Sequence, residues 1–237
     1  GRPGEGKFAD TTREKYAKCA IDFYNTYRDY FDNIFFVNFD KIPGFFFFFS
    51  TPDQVREAYQ ESWDNFQWLR EQGVPNLLPV VHHHEPVELI TEYEKVMGPD
   101  AYICLSPAND QSTDARRPWL DAAFATKLPT TKAHGLAVTS DELIMSYNWH
   151  SVDSATWLHN FLRSYGKTME LGKPVALGNK SDLKKVGHLN KLGLQRLLMC
   201  AKDVNQTAIR SVQCFKELEF TASEYWDNKT KEIFQDG

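Results

Sequence analysis

Six short strand-like runs, most of them near-continuously apolar and spaced by helical patterns, constrain the fold of this chain more than any other feature. They are Ile34–Asn38, Leu78–Val81, Tyr102–Ser106, Lys132–Val138, His150–Asp153 and Pro174–Leu177. Strands that alternate with helices form βαβ units, and unbroken apolar runs fit parallel strands covered on both faces. The helices carry their own signals. Thr51-Pro52-Asp53-Gln54 combines a capping box with proline at the first helical position. The stripe Val55, Tyr59, Trp63, Phe66 and Leu69 follows, and Gly73 ends the helix. A second helix is expected to open at Pro86 and close at Gly98, and a shorter one at the capping box Thr139-Ser140-Asp141-Glu142. Tyr16, Ala20, Phe23 and Tyr27 mark a helix before the first strand, and the chain reads as helical from Leu189 onward.

No glycine-rich phosphate turn follows any strand, so a (β/α)8 barrel lacking one or two units fits better than a doubly wound sheet. The expectation is a TIM-type α/β barrel over residues 1–188, incomplete at its N-terminus, with a helical C-terminal extension over 189–237 packed on it. The opening segment is rich in Gly and Pro and has no Met, and the missing strands are expected before Gly1. Five phenylalanines, Phe45–Phe49, stand where a strand-to-helix loop should be polar. They read as an exposed lid or contact surface, or as a stretch buried against structure preceding Gly1.

Composition narrows the function. With 237 residues, 42% of them hydrophobic, the chain can bury one substantial core. A net charge of −5 excludes an overall basic field, so any nucleic-acid site must be local. The local candidate is a basic rim of Arg163, Lys167, Lys180, Lys184 and Lys185, against which stands the plainer reading of a solvated basic loop. Cys19, Cys104, Cys200 and Cys214 show no metal-ligand pairing, which predicts reduced thiols, a cytoplasmic location and no structural zinc. No apolar run approaches a membrane span. His82-His83-His84 is no metal site, because adjacent side chains on a strand point to opposite faces. Gly178-Asn179-Lys180-Ser181-Asp182 looks like a guanine-specificity loop, but Phe161 stands where the matching phosphate loop needs its first glycine.

Polar groups recur where the strands end: Asp40, His82 to Glu85, Ser106, His134 with Thr139, and Asp153. In a barrel such ends meet around one pocket. Asp153 is therefore either a catalytic carboxylate or the cap of the helix that Trp157, Leu158, Phe161 and Leu162 would build. Asp40 and Thr139 have the same capping alternative, and His82 and His134 could be satisfied loop histidines. Trp149, Trp157 and Tyr102 are candidates for lining a base pocket.

In this order and spacing, several segments resemble the transglycosylase-like proteins of phages and bacteria. They are Asn38-Phe39-Asp40-Lys41-Ile42, Leu78-Pro79-Val80-Val81-His82 with Glu85, Tyr102-Ile103, Pro118-Trp119-Leu120-Asp121, His134-Gly135 through Thr139-Ser140, and Ser151-Val152-Asp153-Ser154 with Trp157. The family comprises relatives of tRNA-guanine transglycosylase, including enzymes that insert 7-deazaguanines into DNA. The resemblance covers residues 15–165. It implies a base exchange that replaces guanine with a 7-deazaguanine in phage or bacterial DNA, or in tRNA, with no cofactor, through a covalent glycosyl-aspartate. A partner subunit that opens or presents DNA fits the acidic net charge. Asp153 stands where the family has its nucleophile, and Asp40 where it has the aspartate that reads the purine edge. His82 and His83 occupy the stretch that holds a base-contacting amide or glycine, and Ser106 lies near the base-binding turn. The family's second catalytic aspartate and the zinc cysteines of the tRNA enzymes have no counterpart, and His84, Cys104 and Ser106 stand where relatives show glycine. Two rivals remain: a non-catalytic barrel that binds a nucleotide or a protein, and an N-glycoside hydrolase that uses Asp153 with water.

Overall fold

The computed structural model describes residues 11–42, 51–83, 85–108, 111–138, 140–153, 167–170, 173–176, 220 and 222–229. The chain forms two compact units, Gly1–Leu136 and Ala137–Gly237. The domain boundary expected near 188 and most of the expected helical tail lie outside the described residues, although 222–229 are helical.

In the first unit, α1 (Arg13–Tyr27) is capped by Thr12, whose hydroxyl accepts the Lys15 N–H. The strand β1 (Phe36–Val37) leads to α2 (Pro52–Glu71), where Thr51 and Gln54 form the reciprocal capping box read from the sequence. Gly73 follows α2 with φ of 80°, a left-handed turn that costs glycine little. The expected second strand is two pieces, β2 (Leu77–Leu78) and β3 (Val80–His82), interrupted at Pro79. Proline has no N–H to donate, but its carbonyl still accepts from Cys104 N at 2.9 Å. After α3 (Leu89–Met97) come β4 (Tyr102–Ser106), α4 (Thr113–Thr126) and β5 (Lys132–Gly135). Pro86–Glu88 forms the turn into α3, so that helix starts later than expected. The helix α4 was not read from the sequence, because Pro118 inside it looks like a breaker.

β1 pairs parallel with β2, matching Phe36 to Leu77 and Val37 to Leu78. β3 pairs parallel with β4, and β4 with β5, in registers that set His82 beside Ser106 and Cys104 beside both Val80 and His134. The neighbours are therefore consecutive in the chain, with helices between them and no reversal of order of the sort that marks a doubly wound sheet. Both alternating sets of strand side chains are buried: Leu78, Val80 and Cys104 pack together with Val37, Tyr102 and Leu136, while Val81, Ile103 and Leu105 fill the other face. That is the burial a parallel sheet needs. Among the helices, Phe66, Leu69, Ile90, Tyr93 and Leu120 are fully buried, with Phe66 and Tyr93 edge to face at 5.1 Å.

The second unit holds α5 (Asp141–Ser146), β6 (Ser151–Val152) and an antiparallel pair, β7 (Lys167–Glu170) with β8 (Lys173–Ala176). The N-cap of α5 is Ser140, which makes no side-chain cap bond, while Thr139 of the expected capping box lies outside the described residues. One expectation is corrected here. The described part of the expected strand at Pro174–Leu177, within β8, pairs antiparallel with β7 and is not a further parallel strand; its partner, Lys-Thr-Met-Glu, lacks the apolar continuity that marks a buried strand.

Candidate functional site

The site in the first unit begins with the segment that leaves β1. Asn38 N–H continues the ladder to Leu78 O at 2.8 Å, and the Asn38 amide donates to Ser62 O at 2.8 Å. Ser62 Oγ then accepts Lys41 N–H at 2.8 Å, while the Asn65 amide donates to Phe39 O at 2.9 Å. Tyr16 of α1 adds a hydrogen bond from its hydroxyl to Val37 O. Asp40 is thus carried on backbone that α1 and α2 tie down on both sides. Ser62 and Asn65 lie on the buried face of α2, where apolar periodicity would not place polar residues.

The second contributor is the end of β3. His82 Nε2 donates to Asp40 Oδ2 at 2.5 Å, and both side chains are largely buried. Glu85 closes a tight turn on the same residue: its N–H donates to His82 O at 2.9 Å, and its Oε2 accepts His82 N–H at 2.8 Å. Glu85 is only 4% exposed, and its other oxygen, Oε1, finds no hydrogen-bond partner among the described residues.

Two carboxylates around one imidazole in a buried place perturb one another. Burial works against the His82 charge, but the Asp40 hydrogen bond and the nearby charges of Glu85 and Asp40 outweigh it, and the imidazole is held above its ordinary range. Burial pushes the Glu85 carboxyl up to about 7; Asp40 adds to this, while His82 and its backbone N–H oppose it. Tyr93 of α3 faces both carboxylates, and burial raises its phenol; Tyr16 is pushed up to about 12 by burial, with Asp40 and Cys19 contributing. Perturbed groups gathered where strands end are a functional signature.

The remaining candidates separate. Ser106 lies level with His82, and its carbonyl accepts His83 N–H at 2.9 Å. The His83 ring, in the turn after β3, packs against Trp119, 5.6 Å between centroids. His134 pairs with Cys104, one layer below His82 and Ser106, and its ring meets Tyr102 at 6.3 Å. Among the described residues, no three His, Cys, Asp or Glu side chains form a metal-ligand set. No helix among them is long and apolar enough to cross a membrane.

In the second unit, Asp153 follows β6 and is exposed. Its Oδ1 accepts Ala137 N–H at 2.6 Å, and Ala137 holds a left-handed φ of 55°. Trp149 is anchored by its indole N–H on Leu143 O at 3.0 Å. Lys167 opens β7, while Trp157, Arg163, Lys180, Lys184, Lys185 and Phe45–Phe49 lie outside the described residues.

Sequence reasoning named Asp40, His82 and Ser106, which the fold sets at neighbouring strand ends. It missed Ser62, Asn65, Tyr16 and Tyr93, and mentioned Glu85 without a role. A carboxylate three residues beyond a strand-end histidine is the signal that could have singled Glu85 out. No protein-family model matches the sequence, and no curated protein does either.

Proposed function

We propose that this chain is a guanine-transglycosylase-type enzyme on a (β/α)8 barrel, exchanging guanine in a nucleic acid, DNA foremost, for a 7-deazaguanine. The observation that carries this reading is Asp40: a strand-end carboxylate fixed through Ser62, Asn65 and His82, whose other oxygen has no hydrogen-bond partner among the described residues and can accept N–H groups from a purine edge. Consecutive parallel pairing supports the barrel. So does the recurrence of polar groups at strand ends.

In the proposed reaction an Asp153 oxygen bonds to C1′ as the glycosidic C1′–N9 bond breaks, and the bond pair leaves with the base, which takes up a proton. The incoming deazaguanine surrenders its N9 proton, attacks C1′ and frees Asp153, so protons balance over the cycle. Asp40 holds the edge of each base in turn. Charge on the sugar peaks in the transition state, where a fixed carboxylate stabilises it most.

The test is mass spectrometry of guanine-containing DNA or tRNA incubated with the protein and a 7-deazaguanine. Incorporation that disappears in Asp153→Asn is the expected result. Free guanine with an abasic site would mean hydrolysis, and intact polymer would overturn the enzyme reading. The second reading, a non-catalytic binding scaffold, draws on the exposed aromatics Tyr30 and Phe31 with Phe23 and Tyr27 beside them.

A further inference from the structure

Glu85 is placed unlike any other carboxylate of the site. It bonds His82 through both its own N–H and its Oε2, so the turn after β3 is fastened at two points to the residue whose ring holds Asp40. Its Oε1 is buried with no partner among the described residues. An ionised oxygen in that position is shielded from water with no donor among the described residues, which disfavours its charge and favours a proton there. Two carboxylates and one imidazolium carry a net charge of −1, and an added proton removes it. The titratable groups that face Glu85 are His82 from β3, Asp40 from the segment after β1 and Tyr93 from α3, with Tyr16 from α1 facing Asp40.

We propose that Glu85 is the positioning residue of this site: it fastens His82 onto Asp40 and, by carrying an exchangeable proton on Oε1, sets the protonation of the imidazole that fills one side of Asp40. Its effect on ligands follows from Asp40. With His82 charged, Asp40 Oδ2 is taken up by a full ion pair and the free oxygen is a weaker acceptor; with His82 neutral, more of the carboxylate charge is available to a base N–H. Binding of a planar N–H donor such as a purine or deazapurine edge is therefore linked to the His82 proton, and Glu85 sets the pH at which the link operates. The ligand part of this role rests on the transglycosylase reading; the coupling between Glu85 and His82 does not.

The experiment is an NMR titration of the His82 ring in the native protein, Glu85→Gln and Glu85→Ala, together with the pH dependence of affinity for a free 7-deazaguanine. Glu85→Gln keeps an acceptor for His82 N–H and removes the charge. The His82 midpoint is expected to fall by about one unit in Glu85→Gln, with the fold retained, and the midpoint of base affinity to fall with it. Glu85→Ala should shift the midpoint and also loosen the turn, broadening the His82 and His83 resonances. Coincident His82 midpoints in the native and Gln proteins overturn the proposal, even if base exchange is intact. A shifted His82 midpoint with no base binding at any pH supports the coupling and removes the transglycosylase reading. Base affinity that follows pH identically in both proteins overturns the ligand link. Should Glu85→Gln not fold, the coupling is read in His82→Gln: loss of the imidazole should raise the Glu85 carboxyl midpoint, and an unchanged midpoint overturns the proposal.

Discussion

Two aspartates end two strands of this protein, and their settings are opposite. Asp40 stands on backbone held from α1 and α2, paired with a buried histidine and faced by a buried glutamate and two tyrosines. Asp153 is exposed and, among the described residues, accepts the backbone N–H of Ala137. A buried network fixes geometry and couples protons, but any broken member leaves an uncompensated group. An exposed carboxylate is stabilised by water and can be replaced with little structural consequence. Under the transglycosylase reading proposed above, the contrast would suit a recognition group that must not move and a nucleophile that must reach its target.

The largest expected effect exploits that difference. Asp153→Asn should lower base exchange on the order of 10⁴-fold, as removal of a covalent nucleophile does, while unfolding free energy shifts by no more than about 0.5 kcal/mol. Asp40→Ala should do the reverse in stability, costing about 3 kcal/mol by stranding His82, which is 5% exposed. Urea denaturation of both variants settles this. Equal stability losses would erase the distinction between the two settings.

pH sharpens the comparison next. Glu85 and His82 both have folded-state values raised above their unfolded ones. A raised group contributes stability that is fully present below its unfolded value and is lost as pH climbs through its folded value. For Glu85 the loss runs from 4.5 to about 7 and amounts to about 3 kcal/mol; His82 adds a loss of the same sign that continues above 6.5. Stability should therefore fall from pH 5 toward pH 8 in the native protein, with a much flatter profile in Glu85→Gln. A native profile that rises over this range would contradict the buried cluster.

These settings were unequally legible. Buried parallel strands are apolar on both faces, so the strand runs and the chain-order logic of the sheet could be read directly, and Asp40 and His82 followed from their positions at strand ends. The supports could not. Ser62 and Asn65 break the apolar stripe of α2 because their partners are backbone atoms of a distant loop, a contact that periodicity does not encode. Tyr16 counted as apolar stripe although its hydroxyl bonds Val37 O. The helix α4 hid behind Pro118, and β7 behind a polar tetrapeptide. Ser62→Ala tests this class of support: losing the acceptor for Lys41 N–H should cost about 1 kcal/mol and weaken base affinity severalfold, leaving exchange at saturating base intact.

The smallest effect concerns the Ala137 tether of Asp153. Ala137 adopts φ of 55°, a left-handed conformation that costs an L-residue about 1 kcal/mol, and in this conformation its N–H meets the Asp153 carboxylate at 2.6 Å. Glycine would remove the steric cost, but it also loses about 0.4–1 kcal/mol through the greater freedom of the unfolded chain. Because the two effects nearly cancel, Ala137→Gly should be neutral in stability to within about 0.5 kcal/mol and should leave exchange unchanged. The carboxylate–N–H bond involves only backbone at position 137, so glycine preserves it. A loss above about 1 kcal/mol would mean that the Ala137 methyl group packs as well as turns the chain.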